Sequence, residues 1–318
     1  MSAATAERPA PPSPPKRAAS AKIVRPPKRP PVQYLPLPPG RQLLRRCLQM
    51  VAIVLLAFAL DVGLLSHLQH AVAQQQLYNG MREQLAAGTL PVSEGDVDGV
   101  LLPDGVPVAY LEIPDLGLRE VIVEGTDSGT LMSGPGHRRD TVLPGQAGVS
   151  VVLGRASAFG GPFSRLQELP PGSEFTVVTG QGEQTFRTIG VRYAGDPTPP
   201  ALQSGQSRLV LQTARGLPYA PSGVLYLDAE LVGDAQDRGA RQTTVASLPE
   251  SDLALGVDTS TLWALVFALQ FLIGVEIAAV LTGRRVGPRK GWIIFFPLTA
   301  LGGLWVAAQL VRLLPNLL

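Results

Sequence analysis

Residues 209–216 read LVLQTARG, three apolar residues passing into Gln212, Thr213 and Ala214 before Arg215 and Gly216 close the run. That length and bounding suit a strand better than a helix. Six more runs of the same kind surround it: VAYLEI (108–113), REVIVEG (119–125), GVSVVLG (148–154), EFTVVTG (174–180), TFRTIGVRYAG (185–195) and GVLYLDAELV (223–232). Clusters of Gly, Pro, Asp and Ser separate them. Short strands at regular spacing with turn signals between them predict a compact all-β unit over 105–232, a sandwich or a closed barrel. The same stretch leaves room only for short helices, near Ser128 to Met132 and at PFSRLQEL (162–169).

Outside this unit the composition changes. Residues 1–46 carry ten Lys or Arg against the single Glu7 and are dense in Pro, a tail that cannot bury enough apolar surface to fold and is expected to be disordered. CLQMVAIVLLAFALDVGLLS (47–66) is long enough to cross a bilayer, and its basic flank RQLLRRC marks an uncleaved signal anchor. Residues 67–104 then read as a stalk, helical to about 87, and 233–260 as a linker. Two further apolar segments, 261–282 and 292–311, frame the basic loop GRRVGPRKG (283–291), with 312–318 left as a short tail. Because short cytoplasmic loops collect Lys and Arg, the tail and this loop are placed inside and the 67–260 region and residues 312–318 outside. The expected architecture is an all-β domain with short helices plus three transmembrane α-helices.

Two acids fall within the spans, Asp61 and Glu276, and carboxylates there ask for a role. Asp61 lies near the outer end and is expected to reach headgroup water. Glu276 lies deeper and is expected to pair with Gln270 or Gln309 or to face a membrane partner. Cys47, the one cysteine, sits at the inner edge of the first span, so an intrachain disulfide and thiol chemistry in the outer domain are both excluded.

From Ile113 to Gly172 the chain carries an ordered series of landmarks: IP, the G and EGT that follow, L, GPGH, T, PG, then G, PF, two L and G. In order and spacing it resembles the sortase family, most closely the actinobacterial class E type, with the likeness extending over about 108–232. The resemblance implies a sortase-like closed β-barrel at the cell envelope with no cofactor. It also implies a Cys acyl carrier, a His acid–base and an Arg that holds the acyl oxygen or the peptide. Carried over, the family His falls on Arg155, the Cys on Ala214 and the Arg on Ser222 or Gly223.

No residue nearby replaces them. Thr213 and Arg215 flank Ala214 but project to the opposite face of a strand, although Arg215 could turn back where the strand ends. His137, in GPGH, matches a different family position and reads as a turn histidine. Arg155 cannot shuttle a proton, but its planar fork suits a carboxylate or a carbonyl if it faces the groove rather than solvent. The expected binding set is therefore Arg155, Ala214, Arg215, Ser222 and His137.

These residues point to a membrane-anchored pseudoenzyme that binds a sorting-signal-like polypeptide, with lipids and a membrane protein as further partners. One alternative is a transpeptidase or hydrolase with a relocated nucleophile such as Ser133 or Ser222. Another is a structural subunit of an envelope assembly. GxxxxGK[ST], HExxH and CxxC are absent, the pair His67 and His70 lacks a third metal ligand, and the outer region holds twenty-two acids against twelve bases, a poor match for nucleic acid.

Overall fold

A computed structural model describes residues 38–96, 98–286 and 288–318; most of the Pro-rich tail and Gly287 of the basic loop lie outside the described residues. By contacts the chain divides into Met1–Arg45, of which only the start of a helix is described, and Arg46–Leu318, which holds everything below.

Eight strands form a closed barrel: β1 (Pro107–Ile113), β2 (Leu118–Glu124), β3 (Gly136–His137), β4 (Gly148–Leu153), β5 (Glu174–Thr179), β6 (Gly182–Tyr193), β7 (Ser207–Leu217) and β8 (Ala220–Leu231). They run in the order β1-β2-β3-β4-β7-β8-β6-β5, and β5 returns to β1. The pairs β2/β3 and β4/β7 are parallel and the others antiparallel. All seven runs expected from the sequence are strands. Alternation sends Leu209 and Leu211 of β7, Leu225 and Leu227 of β8, and Phe175 and Phe186 into one closed core. The two phenylalanines are cross-strand partners with ring centroids 5.9 Å apart. Closing the sheet leaves the barrel no open edge. The expected short helices are 3-10 turns at Thr130–Met132 and Leu166–Glu168.

Among the described residues three helical stretches are long and apolar enough to cross a membrane. The first joins α1 (Pro39–Leu60), a π-helical turn (Asp61–Leu65) and α2 (Ser66–Ala87) without a break. The expected division between span and stalk near residue 66 is thus not a break in the helix. The other two are α3 (Leu262–Val286) and α4 (Pro288–Arg312). Small residues let the helices meet: a Cβ at Gly303 of α4 would stand 3.3 Å from Ile53 and 3.5 Å from Ala57 of α1, and one at Gly302 would stand 3.1 Å from Leu272 of α3. Phe271 and Trp305 meet edge to face at 5.8 Å. Val62 beside Val311, and Ala57 beside Gly303, make α1 and α4 parallel, whereas α3 opposes α4.

The stalk lies on the barrel rather than standing free of it. The carboxamide of Gln74 in α2 accepts from the Val121 N–H at 2.7 Å and donates to the carbonyls of Ser133 at 2.8 Å and Val121 at 3.2 Å. The stretch expected as a linker, 233–260, is pinned as well. Arg241 donates to the carbonyls of Arg139 and Thr141 and pairs with Glu94 at 3.2 Å, while the Thr126 hydroxyl donates to the carbonyl of Asp252 at 2.7 Å.

Candidate functional site

Side chains on β7 divide between two faces. Leu209 and Leu211 enter the barrel, while Val210 and Ala214 face outward. There Val210 forms a second apolar cluster with Val151 and Leu153 of β4, Leu131 of the preceding loop, and Leu317. Ala214, Val224 and Tyr226 pack against this cluster. The strand does not end at Ala214 but continues to Leu217 and turns into β8, so Arg215 has no chain end at which to bend back. Its exposed guanidinium instead lies over the Tyr193 ring, 4.2 Å from the centroid. Gly223 is its cross-strand partner, and the Ser222 hydroxyl donates to the Arg215 carbonyl at 3.3 Å.

Arg155 differs from both expectations for it. It faces neither an open groove nor solvent but is fully buried just after β4. Its Nε donates to the Leu131 carbonyl at 3.2 Å, Nη1 to the Leu318 carbonyl at 2.9 Å, and Nη2 to the Ser128 carbonyl at 2.7 Å and the Ser128 hydroxyl at 3.0 Å. The guanidinium also stacks on Phe159, 5.0 Å from the ring centroid. Burial lowers its pKa to about 10, with Asp127 opposing the shift, so the group remains a cation at neutral pH. The reason for burial is tertiary: Phe159 and Ala158 turn back to pack on Val62 and Val311, closing the loop over the guanidinium. Gly160 permits that turn, since a Cβ there would stand 2.5 Å from the His70 ring.

His137 lies on β3, opposite Glu124, rather than in a turn. Both residues are buried, the imidazole Nδ1 is 2.8 Å from the Glu124 carboxylate, and Nε2 donates to the Val142 carbonyl at 2.9 Å. With both ring nitrogens engaged, His137 ties three elements together and has no nitrogen left for a substrate. His70 is brought onto the barrel by α2, where Nε2 meets Glu120 at 3.0 Å, while His67 is exposed. The Ser133 hydroxyl donates to the Thr130 carbonyl at 2.7 Å. Among the described residues no histidine or carboxylate is hydrogen-bonded to Ser133 or Ser222, and none forms a metal-binding cluster.

The two acids of the apolar helical stretches also differ from expectation. Asp61 is buried at the start of the π-helical turn rather than open to headgroup water. Glu276 is half-buried, and no hydrogen bond to Gln270 or Gln309 occurs among the described residues.

Residues past α4, expected as a short tail, belong to this site. Leu317 is fully buried in the outward cluster, where such burial contributes about 1.5–3 kcal/mol. Its carbonyl accepts from the Ala156 N–H at 2.9 Å. Asn316, also fully buried, donates from its backbone to the Gly256 carbonyl at 2.9 Å, and from Nδ2 to the carbonyls of Thr126 at 2.7 Å, Leu253 at 2.9 Å and Ser251 at 3.2 Å. The Ser128 hydroxyl donates to the Leu314 carbonyl at 3.3 Å. Nothing in the spacing of the sequence singles out Ser128, Thr126 or Asn316. The one available signal was four leucines outside a span, Leu313, Leu314, Leu317 and Leu318, which need cover from water.

The arrangement sets an apolar cluster beside main-chain oxygens that hold Arg155, and the hydroxyl–histidine pair Thr141 and His137, 3.2 Å apart, is buried. A family model described as Sortase domain matches residues 111–223. Sortase D of Bacillus subtilis (strain 168) is 31% identical over 117 residues, 36% of this chain and 58% of the relative. The chain thus spans a little over half the length of the curated relative it matches. Among solved structures, a sortase D5 transpeptidase from Clostridium perfringens is 17% identical, covering 52% of this chain and 98% of that one at a TM-score of 0.39. Sortase E1 from Streptomyces coelicolor is 22% identical, covering 41% and 91% at 0.36. The barrel whose β7 presents Ala214 outward, and whose β4 leads into Arg155, is the part of the chain that is similar to sortase domains.

Proposed function

We propose that the chain is a membrane-anchored sortase-like pseudoenzyme, its barrel outside the cytoplasmic membrane, that binds a sorting-signal-like polypeptide without cleaving it. The observation that carries this reading is the outward face of β7, where the position matching the family nucleophile is a methyl group packed into an apolar cluster. The position matching the acid–base is a buried cation whose donors are taken by carbonyls. Covalent peptide transfer needs a carrier atom and a group that moves a proton, and neither is supplied here. The match to the Sortase domain model supports a role in cell-surface protein sorting and a peptide as the partner. The basic flanks at Arg41–Arg46 and 283–291 support the outward placement of the barrel.

A relocated nucleophile carries less weight, because the hydroxyls of Ser133 and Ser222 are both donated to backbone carbonyls. The test is direct. The purified full chain, incubated with sorting-motif peptides and an amine acceptor, is expected to give neither a mass-shifted adduct nor a released fragment. Product that survives Ser133→Ala and Ser222→Ala, or that either change abolishes, ends the non-catalytic reading.

A further inference from the structure

We infer that Leu314–Leu318 is the resident occupant of the domain's peptide site, a segment of the chain filling in cis the place of a client peptide. The inference uses the reading above to identify the site as peptide-binding, but the occupancy rests on geometry alone. The segment touches both positions where the family's chemistry would sit: Leu318 through its carbonyl on Arg155, and Leu317 through the cluster against which Ala214 packs.

It is also held in the manner of a ligand. Carbonyls of Leu314, Leu317 and Leu318 and the N–H of Asn316 bond to the domain and to the 250s segment, one side chain fills an apolar pocket, and one carboxamide is ringed by carbonyls. The barrel closes through β1–β8 without this segment, which reaches it only after α3 and α4. Chain connectivity therefore does not require it there. If the segment leaves, Arg155 keeps its bonds to Ser128 and Leu131 and turns Nη1 toward an empty pocket lined by Leu131, Val151, Leu153 and Val210.

The contacts define the chemistry of a competing ligand: an extended peptide with a branched aliphatic side chain, Asn immediately before it, and a carbonyl or carboxylate after it for the guanidinium. Because the segment follows α4 directly, a short tether holds it near the site at an effective concentration of the order of mM, so weak intrinsic affinity suffices. Displacement of α4 along its axis would withdraw it, which makes occupancy depend on the membrane helices.

The test uses the full chain in detergent with Cys47→Ser and Ala214→Cys, and follows modification of the introduced thiol by a maleimide. If the segment is bound more than about nine-tenths of the time, Leu317→Asp or Asn316→Ala speeds labelling about tenfold or more, and added peptide LLPNLL at mM concentration slows it again. Equal rates in parent and variants overturn the inference. So does acceleration that the peptide does not reverse, which would make the segment a buttress. A companion thiol at Ala229→Cys, inside the barrel, must stay protected, and its exposure in both variants likewise overturns the inference by showing that the fold has opened. Peptide cleavage by the unaltered chain would sink the non-catalytic reading while leaving the labelling result intact.

Discussion

Arg155, at the position the resemblance assigns to a His, is bonded as a structural group. A His there would present one donor and one acceptor, whereas the guanidinium spreads its donors over main-chain oxygens from the β2–β3 loop and the 314–318 segment. Arg155→Lys keeps the charge but cannot span these acceptors, and each buried carbonyl left unbonded costs about 1–3 kcal/mol. Thermal unfolding of the detergent-solubilised chain is expected to fall by several degrees, with Arg155→Met no better; an unchanged midpoint would mean that the fork is not needed. Asp252 makes a second residue-scale prediction. Burial raises its pKa from 3.8 to about 6, with Asp104 and Asp127 adding to the shift and the Ser251 hydroxyl and Arg139 opposing it. The folded chain thus holds a proton that the unfolded chain releases between about pH 4 and 6, so this group's contribution to stability falls as pH rises through that window and stays low above it. Asp252→Asn is expected to unfold at a higher temperature than the parent at pH 7.5, and the gain should vanish near pH 4.

At the scale of elements, the strands were legible and their partners were not. Alternation and turn residues located seven strands because both depend on neighbours in sequence. β3 escaped because Gly136 and His137 carry no β pattern, and they are a strand only through lying between β2 and β4. The docking of α2 escaped for a similar reason, since Gln74 reads as an ordinary polar helix residue until its carboxamide meets Val121 and Ser133 across the fold. Gln74→Ala removes those bonds and leaves the Val121 N–H unpartnered. The expected result is a stability loss of about 1–3 kcal/mol, with faster amide exchange across Leu118–Glu124 and no change across Glu174–Thr179. Uniform acceleration in both strands would contradict a local clamp.

At the scale of the molecule, α1 and α4 run parallel with their C-terminal ends toward the barrel, and α3 starts from it, so the barrel and residues 313–318 share one side of any bilayer the helices cross. With the basic loop on the other side, Ser222→Cys in a Cys47→Ser background is expected to react with a membrane-impermeant maleimide on intact cells, and Arg285→Cys only after lysis. The reverse pattern would invert the topology. Much of this plan was visible in the sequence: apolar segments of spanning length, basic flanks, and an ordered run of sortase landmarks over Ile113–Gly172. By the same resemblance Arg155 and Ala214 fall where the family's His and Cys are expected, the assignment on which the proposed function rests.

The sequence by itself therefore determined which segments are strands and which are apolar helices of spanning length, since composition and period are local properties of the chain. Only the tertiary structure decided where Arg155 points, that His137 is bonded at both nitrogens, and that residues 314–318 lie against Ala214's face of the barrel. Those facts depend on contacts between residues far apart in the chain, chosen by which buried carbonyls and apolar pockets needed a partner once the barrel had closed.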